Sequence, residues 1–304
     1  MAATVRNFGA YRAGPHAWML GRLIVPAARM KEFADEFAAV ATVKAIEGVW
    51  PLSILGQGGD DAVTFAANLA KDVQSWARLR EHFPGRLDGQ SWELRLPTGM
   101  VAAADEDLIT ECAKAAIDQL AGMVDSPRVA FEIPWVGDWA ATVPPAVAAL
   151  SDAQRSVGSR ATLSAKMRTG SVEPSQVPGA AQVACFIAAC RAMDVPFKAT
   201  AGLHHPVRHV DPDLGVPVFG FFNVFGAALF AKLREWDEAD LQKVLEEREV
   251  ANFRFAPDAF CWKNECAELA EITAARAQFA WSFGSCSFDE PIADLNKLGL
   301  LPAE

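Results

Sequence analysis

Arg160-Ala-Thr-Leu-Ser-Ala-Lys-Met-Arg-Thr-Gly170 and its echo Pro196-Phe-Lys-Ala-Thr-Ala-Gly-Leu-His-His-Pro206 are the stretches on which the fold turns. Both alternate with a period of two. In the first, Leu163, Ala165 and Met167 share one face and Ser164, Lys166 and Arg168 the other; in the second, Phe197, Ala199, Ala201 and Leu203 oppose Lys198, Thr200 and Gly202. Each reads as a strand that closes on a small turn, Thr169-Gly170 or Thr200-Ala-Gly202. Central strands of this kind direct Lys166, Lys198 and Arg168 into one protected space. Charge there is costly unless paired or used.

The rhythm continues on both sides. Strand-like runs at 18–26, 50–57, 91–97 and 129–135 come first, followed by helical stripes at 28–40, 60–82, 106–123 and 145–157. Asp60 or Asp61 is placed to cap the second helix, and another helix is expected at 180–193. The strand faces differ in polarity: Trp92, Leu94 and Leu96 oppose Glu93 and Arg95, and Val129, Phe131, Ile133 and Trp135 oppose Ala130 and Glu132. A doubly wound sheet is covered on both sides and has two apolar faces. One apolar and one polar face fit a (β/α)8 TIM-barrel-like α/β fold, with polar side chains meeting inside.

After the sixth strand the pattern turns irregular. A loop rich in Pro, Gly and Asp at 204–217, expected to act as a lid or a site wall, leads into an apolar helix at 219–236 and a charged one at 238–249. A strand pair at 252–263 around Pro257-Asp258, a helix at 265–280, a last strand at 281–287 and a short terminal helix complete the chain. No repeat or linker stands out, so residues 1–304 are expected to form a single α/β barrel domain.

Composition narrows the function. The chain has 304 residues, 28 basic and 38 acidic, for a net charge of -10, and no basic run of five or more. That argues against nucleic acid and against an anionic membrane surface. No apolar run reaches the roughly 18 residues a membrane helix needs, and residues 1–16 lack the basic-then-apolar order of a signal peptide, so a cytoplasmic location is expected. Cys112, Cys185, Cys190, Cys261, Cys266 and Cys286 form no Cys-x-x-Cys pair and read as free, mostly buried thiols rather than as zinc ligands. The expected partner is a small-molecule substrate, with a homo-oligomer left open. No cofactor is expected, since the glycine-rich nucleotide patterns are missing.

The strings Lys166-Met-Arg-Thr-Gly170, Phe197-Lys-Ala-Thr-Ala-Gly-Leu-His-His-Pro-Val-Arg-His209, Gly220-Phe-Phe-Asn-Val-Phe225 and Phe283-Gly-Ser-Cys-Ser-Phe-Asp-Glu-Pro291 resemble those of a family of uncharacterised bacterial proteins, over most of the second half. That resemblance implies no activity. Lys198-Ala-Thr-Ala-Gly202 is also similar to the barrel-strand lysine and small Thr/Gly run of class I deoxyribose-phosphate aldolase-type barrels. This second likeness implies a Schiff-base lysine at Lys198. In those aldolases the helper lysine follows on the next strand, whereas here Lys166 precedes.

A lysine beside another cation and away from water favours its neutral amine, which attacks carbonyls. The residues expected to do chemistry are therefore Lys198 and Lys166, with Glu132 and the histidines His204 and His205 as proton carriers. Arg168, Thr169, Thr200, His209, Glu93, Arg95 and Asn223 are expected to hold the substrate. The leading expectation is a lysine-dependent enzyme acting on a small, anionic carbonyl compound, of aldolase, lyase or isomerase type. Two alternatives stand beside it: a metal-assisted hydrolase built on His204, His205 and His209, and a non-catalytic barrel that binds a small anion or a partner. The bland reading of the charges is a salt-bridge network, Glu93 with Arg95 or Lys166 and Glu132 with Lys198. Asn223 reads equally as a satisfied buried amide. Ser287 and Glu290 match a capping box better than a phosphate loop, and Cys286 has no neighbour in sequence that would make it a nucleophile.

Overall fold

A computed structural model describes residues 1–40 and 48–301, and the chain divides into two compact units. The first comprises 1–103, 107–132 and 152–163. Its elements are α1 (Ala2–Ala13), β1 (Leu23–Pro26), α2 (Met30–Val40), β2 (Trp50–Leu55), α3 (Ala62–His82), β3 (Leu87–Arg95), α4 (Thr98–Ala102), nearly all of α5 (Glu106–Ala121) and β4 (Arg128–Glu132). The four strands pair in parallel, and their register carries Val25, Ile54, Trp92 and Val129 across one row. All four are fully buried. Each such side chain contributes roughly 1.5–3 kcal/mol by leaving water. The opposite face carries Ser53, Ser91, Glu93, Arg95 and Glu132, as the alternation requires.

Local chemistry sets the element ends. Asp61, not Asp60, caps α3 by accepting the Thr64 N–H at 2.8 Å. The first strand is shorter than expected, because residues 17–19 form a 3-10 turn and Trp18 stays 70% exposed. The helix α1 has no counterpart in the sequence pattern: it buries only Val5, Phe8 and Gly9 and so shows no continuous stripe.

Helix α6 (Trp139–Val157) and strand β5 (Thr162–Arg168) are divided between the units. The second unit, 104–106, 133–151 and 164 onward, continues with α7 (Ala180–Ala192), β6 (Phe197–Thr200), β7 (His209–Val210), β8 (Pro217–Val218), α8 (Phe221–Arg234) and α9 (Glu238–Leu245). It ends with β9 (Phe253–Ala256), β10 (Ala259–Trp262), β11 (Glu265–Glu268), α10 (Leu269–Gln278), β12 (Ala280–Gly284) and α11 (Asp289–Lys297). Its core includes an edge-to-face run of rings, Phe186 to Phe197 at 5.7 Å and Phe197 to Phe279 at 5.3 Å.

The α/β class holds, but the fold is not a closed (β/α)8 barrel. Among the described residues the main sheet has seven strands in the order β1-β2-β3-β4-β5-β6-β12, with β1 and β12 as its two ends. The cause lies after β6. That stretch builds a two-stranded ladder, β7-β8, and a three-stranded antiparallel sheet, β11-β10-β9, and returns only one strand to the main sheet.

Residues 265–268 form β11, not the start of a helix. This hairpin sets Cys261 directly opposite Cys266 and closes a disulfide, which corrects the expectation of six free thiols. Burial raises the thiols of Cys112 and Cys185 to about 11 and that of Cys190 higher still, so these three are inert. Among the described residues no helix is long and apolar enough to cross a membrane.

Candidate functional site

The parallel pairing of β5, β6 and β12 is in register at the lysines. Lys166 lies beside Lys198, and Lys198 beside Ser282. Equal register in a parallel sheet puts these side chains on one face, with strands about 4.8 Å apart. Lys166 is 2% exposed and Lys198 half-buried, and each has interaction partners. Arg168 is exposed on the same face, two residues nearer the strand end, level with Thr200. Two ammonium-bearing side chains and a guanidinium thus share one strip of sheet in an otherwise acidic protein.

The small residues after each lysine are there for packing. A Cβ on Gly170 would fall 2.9 Å from the Gly202 Cα, so the two strand-end turns touch backbone to backbone. Ala201 and Gly202 both take positive φ, 65° and 77°, which ends β6 at Thr200. Thr169 is fully buried, and its hydroxyl donates to the Ala201 carbonyl at 2.6 Å while its N–H donates to the Thr200 carbonyl. Both polar groups of Thr169 are thus used within the fold. Asn223 is satisfied in the same way, as the buried-amide reading has it. Fully buried, it donates to the Val244 and Glu247 carbonyls, each at 2.8 Å, and accepts the Arg208 N–H at 2.7 Å.

Beyond β6 the chain runs into the three histidines, and α11 meets them. His204 Nδ1–H donates to the Glu290 carboxylate at 2.5 Å, and His205 Nδ1–H to the Asp294 carboxylate at 2.6 Å. Glu290 and Asp294 lie one helical turn apart on α11, so two consecutive histidines meet two acids of one helix face. His204 turns its other nitrogen, Nε2, to the Cys286 thiol at 3.3 Å. His209 instead donates from Nδ1 to the Val207 carbonyl, and its ring stands edge-on to His205 with centroids 4.5 Å apart. The three imidazoles thus face three different partners, and no three metal-ligating side chains converge among the described residues. A cavity of about 320 Å³ is lined by His205, His209, Asp294 and Lys297, among others. The backbone here is pinned: α8 donates its first N–H groups, from Phe221 and Phe222, to the His205 and Pro206 carbonyls. These two bonds tie residues 205 and 206 to the start of α8.

Glu93, Arg95 and Glu132 belong to the first unit. Glu93 is 1% exposed and accepts the Ser53 hydroxyl at 2.7 Å; Glu132 is buried one strand over, level with Arg95. The Arg95 side chain is exposed and reaches Thr98 Oγ1.

Glu290, Asp294 and Cys286 are the residues a sequence pattern misses. The Ser287 hydroxyl does accept the Glu290 N–H at 3.2 Å, half of the expected capping box, but the Glu290 carboxylate goes to His204. No protein-family model matches the chain, and no curated protein sequence matches it.

The two histidine–acid pairs make α11 acid-sensitive. The His204 hydrogen bond, chiefly, holds Glu290 below its ordinary 4.5. Burial pushes Asp294 up, yet the His205 and Lys297 hydrogen bonds outweigh it and bring the group below 3.8. With folded-state values depressed, the stabilisation is complete above the ordinary carboxylate values and is lost as pH falls through the folded ones. Protection of the 289–297 amides, measured against their intrinsic exchange rates at each pH, should therefore fall as pH drops below about 4, modestly because Glu290 is half exposed. Hydrogen-exchange mass spectrometry reads this directly. Glu290→Gln with Asp294→Asn should flatten the acid limb.

Proposed function

We propose that this chain is a lysine-dependent enzyme for a small anionic carbonyl compound, with Lys198 as the nucleophile. The observation that carries the reading is the register of Lys166 beside Lys198 on one face of adjacent parallel strands, one lysine buried and the other half-buried. A lysine amine that a small molecule can reach is the group that adds to a carbonyl carbon. Lys198 is taken as the nucleophile because it is half-buried, whereas Lys166 is only 2% exposed, so a substrate reaches the Lys198 amine more readily. Arg168, exposed at the end of β5, is suited to a carboxylate or phosphate on the same molecule.

The chemistry is that of an imine. Lys198 Nζ adds to the carbonyl carbon, water leaves with the carbonyl oxygen, and the protonated imine draws electrons from a bond at the neighbouring carbon. Cleavage or formation of that bond is aldolase-type chemistry; loss of a proton from it leads to isomerisation or dehydration. The test is borohydride reduction in the presence of small aldehydes, 2-oxo acids and sugar phosphates, followed by peptide mapping. A reduced adduct on the peptide carrying Lys198 is expected, and one on Lys166 would reverse the two roles. Turnover of a true substrate by Lys198→Ala, with no adduct trapped on the parent protein, would end the covalent reading and leave an anion-binding protein.

A further inference from the structure

Strands β6 and β12 are hydrogen-bonded neighbours, and the Ala201 N–H still reaches the Gly284 carbonyl at 3.3 Å past the end of β6. The loops that leave these two strands therefore rise together. One carries His204 and the other Cys286, and α11, which begins three residues after Cys286, brings Glu290 in its first turn. The result is a thiol, an imidazole and a carboxylate in line: Sγ to Nε2 at 3.3 Å, Nδ1 to Oε2 at 2.5 Å. The Glu290 carboxylate can only accept, so it fixes the proton on Nδ1 and leaves the Nε2 lone pair facing the thiol. It also stabilises the imidazolium that forms when the thiol proton moves to Nε2. Cys286 is the one exposed free cysteine among the described residues; Cys112, Cys185 and Cys190 are buried.

We infer that Cys286, His204 and Glu290 form a reactive centre separate from the lysines, in which Cys286 accepts an acyl group from a small thioester. The balance is simple. Sγ bonds to the acyl carbon as its proton passes to His204 Nε2, the carbon–sulfur bond of the donor breaks, and the departing thiolate takes that proton from Nε2. Water, giving a proton to the same nitrogen, then cleaves the acyl-cysteine to a carboxylic acid and restores the thiol. A thioester is the donor that fits, because transfer from sulfur to sulfur exchanges one bond for its like and needs no general acid beyond the single imidazole. Asp289 and Asp294 stand near Glu290 on α11, so the acyl body should be neutral rather than anionic.

The probes are S-phenyl thioacetate, whose thiophenol release is followed by absorbance, and iodoacetamide as a plain alkylating agent. The parent protein should show a burst of thiophenol, with the acetyl group on the Cys286 peptide and lost to neutral hydroxylamine. His204→Asn should slow that acylation roughly 10²-fold, the lower end of what a positioned general base supplies. Glu290→Gln should slow it by less, and iodoacetamide labelling of Cys286 should follow the same order across the variants. Thermal melting confirms that each variant is folded. Acetylation confined to lysines, or Cys286 acylated and alkylated equally fast in parent, His204→Asn and Glu290→Gln, would overturn the assignment and make Cys286 an ordinary surface thiol. The acyl group is read on the Cys286 peptide and a reduced imine on the Lys198 peptide, so this result stands or falls apart from the imine chemistry.

Discussion

Lys198→Ala is expected to lower kcat on the compound identified by borohydride trapping by at least about 10⁴-fold, equivalent to about 5.5 kcal/mol of lost transition-state stabilisation. The size follows from what alanine removes. Without the amine no imine forms, and the electron sink that makes the neighbouring carbon reactive disappears with it. The fold should survive. Lys198 is half-buried on a four-residue strand whose inward anchors are Phe197 and Ala199, so the stability change should stay near about 1 kcal/mol. Lys198→Arg sharpens the result, because it keeps the positive charge and removes the nucleophile. If charge alone held a bound anion, the arginine variant would retain binding and function. Under the imine reading it is as inactive as alanine, and substrate binding measured by calorimetry persists while turnover is lost. Lys166→Met differs in kind: this lysine is 2% exposed and engaged with partners, so removing its charge should destabilise the protein as well as slow it.

The contrast between the two lysines and the histidine loop shows which parts of the site a sequence can carry. Period-two alternation is local, and it placed Lys166, Arg168, Lys198 and Thr200 on one side correctly, because a parallel register preserves it from strand to strand. The partners of His204 are not local. Glu290 lies 86 residues away and Cys286 82, joined only by the pairing of β6 with β12, so no spacing rule could announce them. The same limit explains the disulfide. Cys261 and Cys266 meet only if a tight hairpin opposes them, and apolar spacing in 265–280 favoured a helix until β11 is seen to come first. The bonding of Thr169 was out of reach for another reason. A hydroxyl beside a charged strand looks like a ligand contact, but the close approach of Gly170 and Gly202 leaves the Ala201 carbonyl needing a donor, and Thr169 supplies it. Barrel closure was beyond reach of the strand pattern too, since it depends on what the chain does between β6 and β12 rather than on the strands themselves.

Asn223→Leu should cost at least about 3 kcal/mol of stability, read as a drop in the urea midpoint with little change in slope. Leucine keeps the branched shape but is larger, so some overpacking adds to the loss of the amide's hydrogen bonds. The buried amide joins three backbone groups from two other segments: the Arg208 N–H of the histidine loop, and the Val244 and Glu247 carbonyls at the end of α9. Removing it strands one donor and two acceptors out of water, and each such group costs about 1–3 kcal/mol. Asn223→Asp tests the geometry separately. The shape is kept and Arg208 N–H can still be accepted, but a carboxylate oxygen now faces two carbonyl oxygens at hydrogen-bond distance, so the variant must either bury a proton or repel both. It should be at least as unstable as leucine at neutral pH and recover partly in mild acid, as protonation gives the oxygen a hydrogen to donate. A leucine variant with parental stability would mean that water reaches these groups and that Asn223 does not hold the histidine loop to α9.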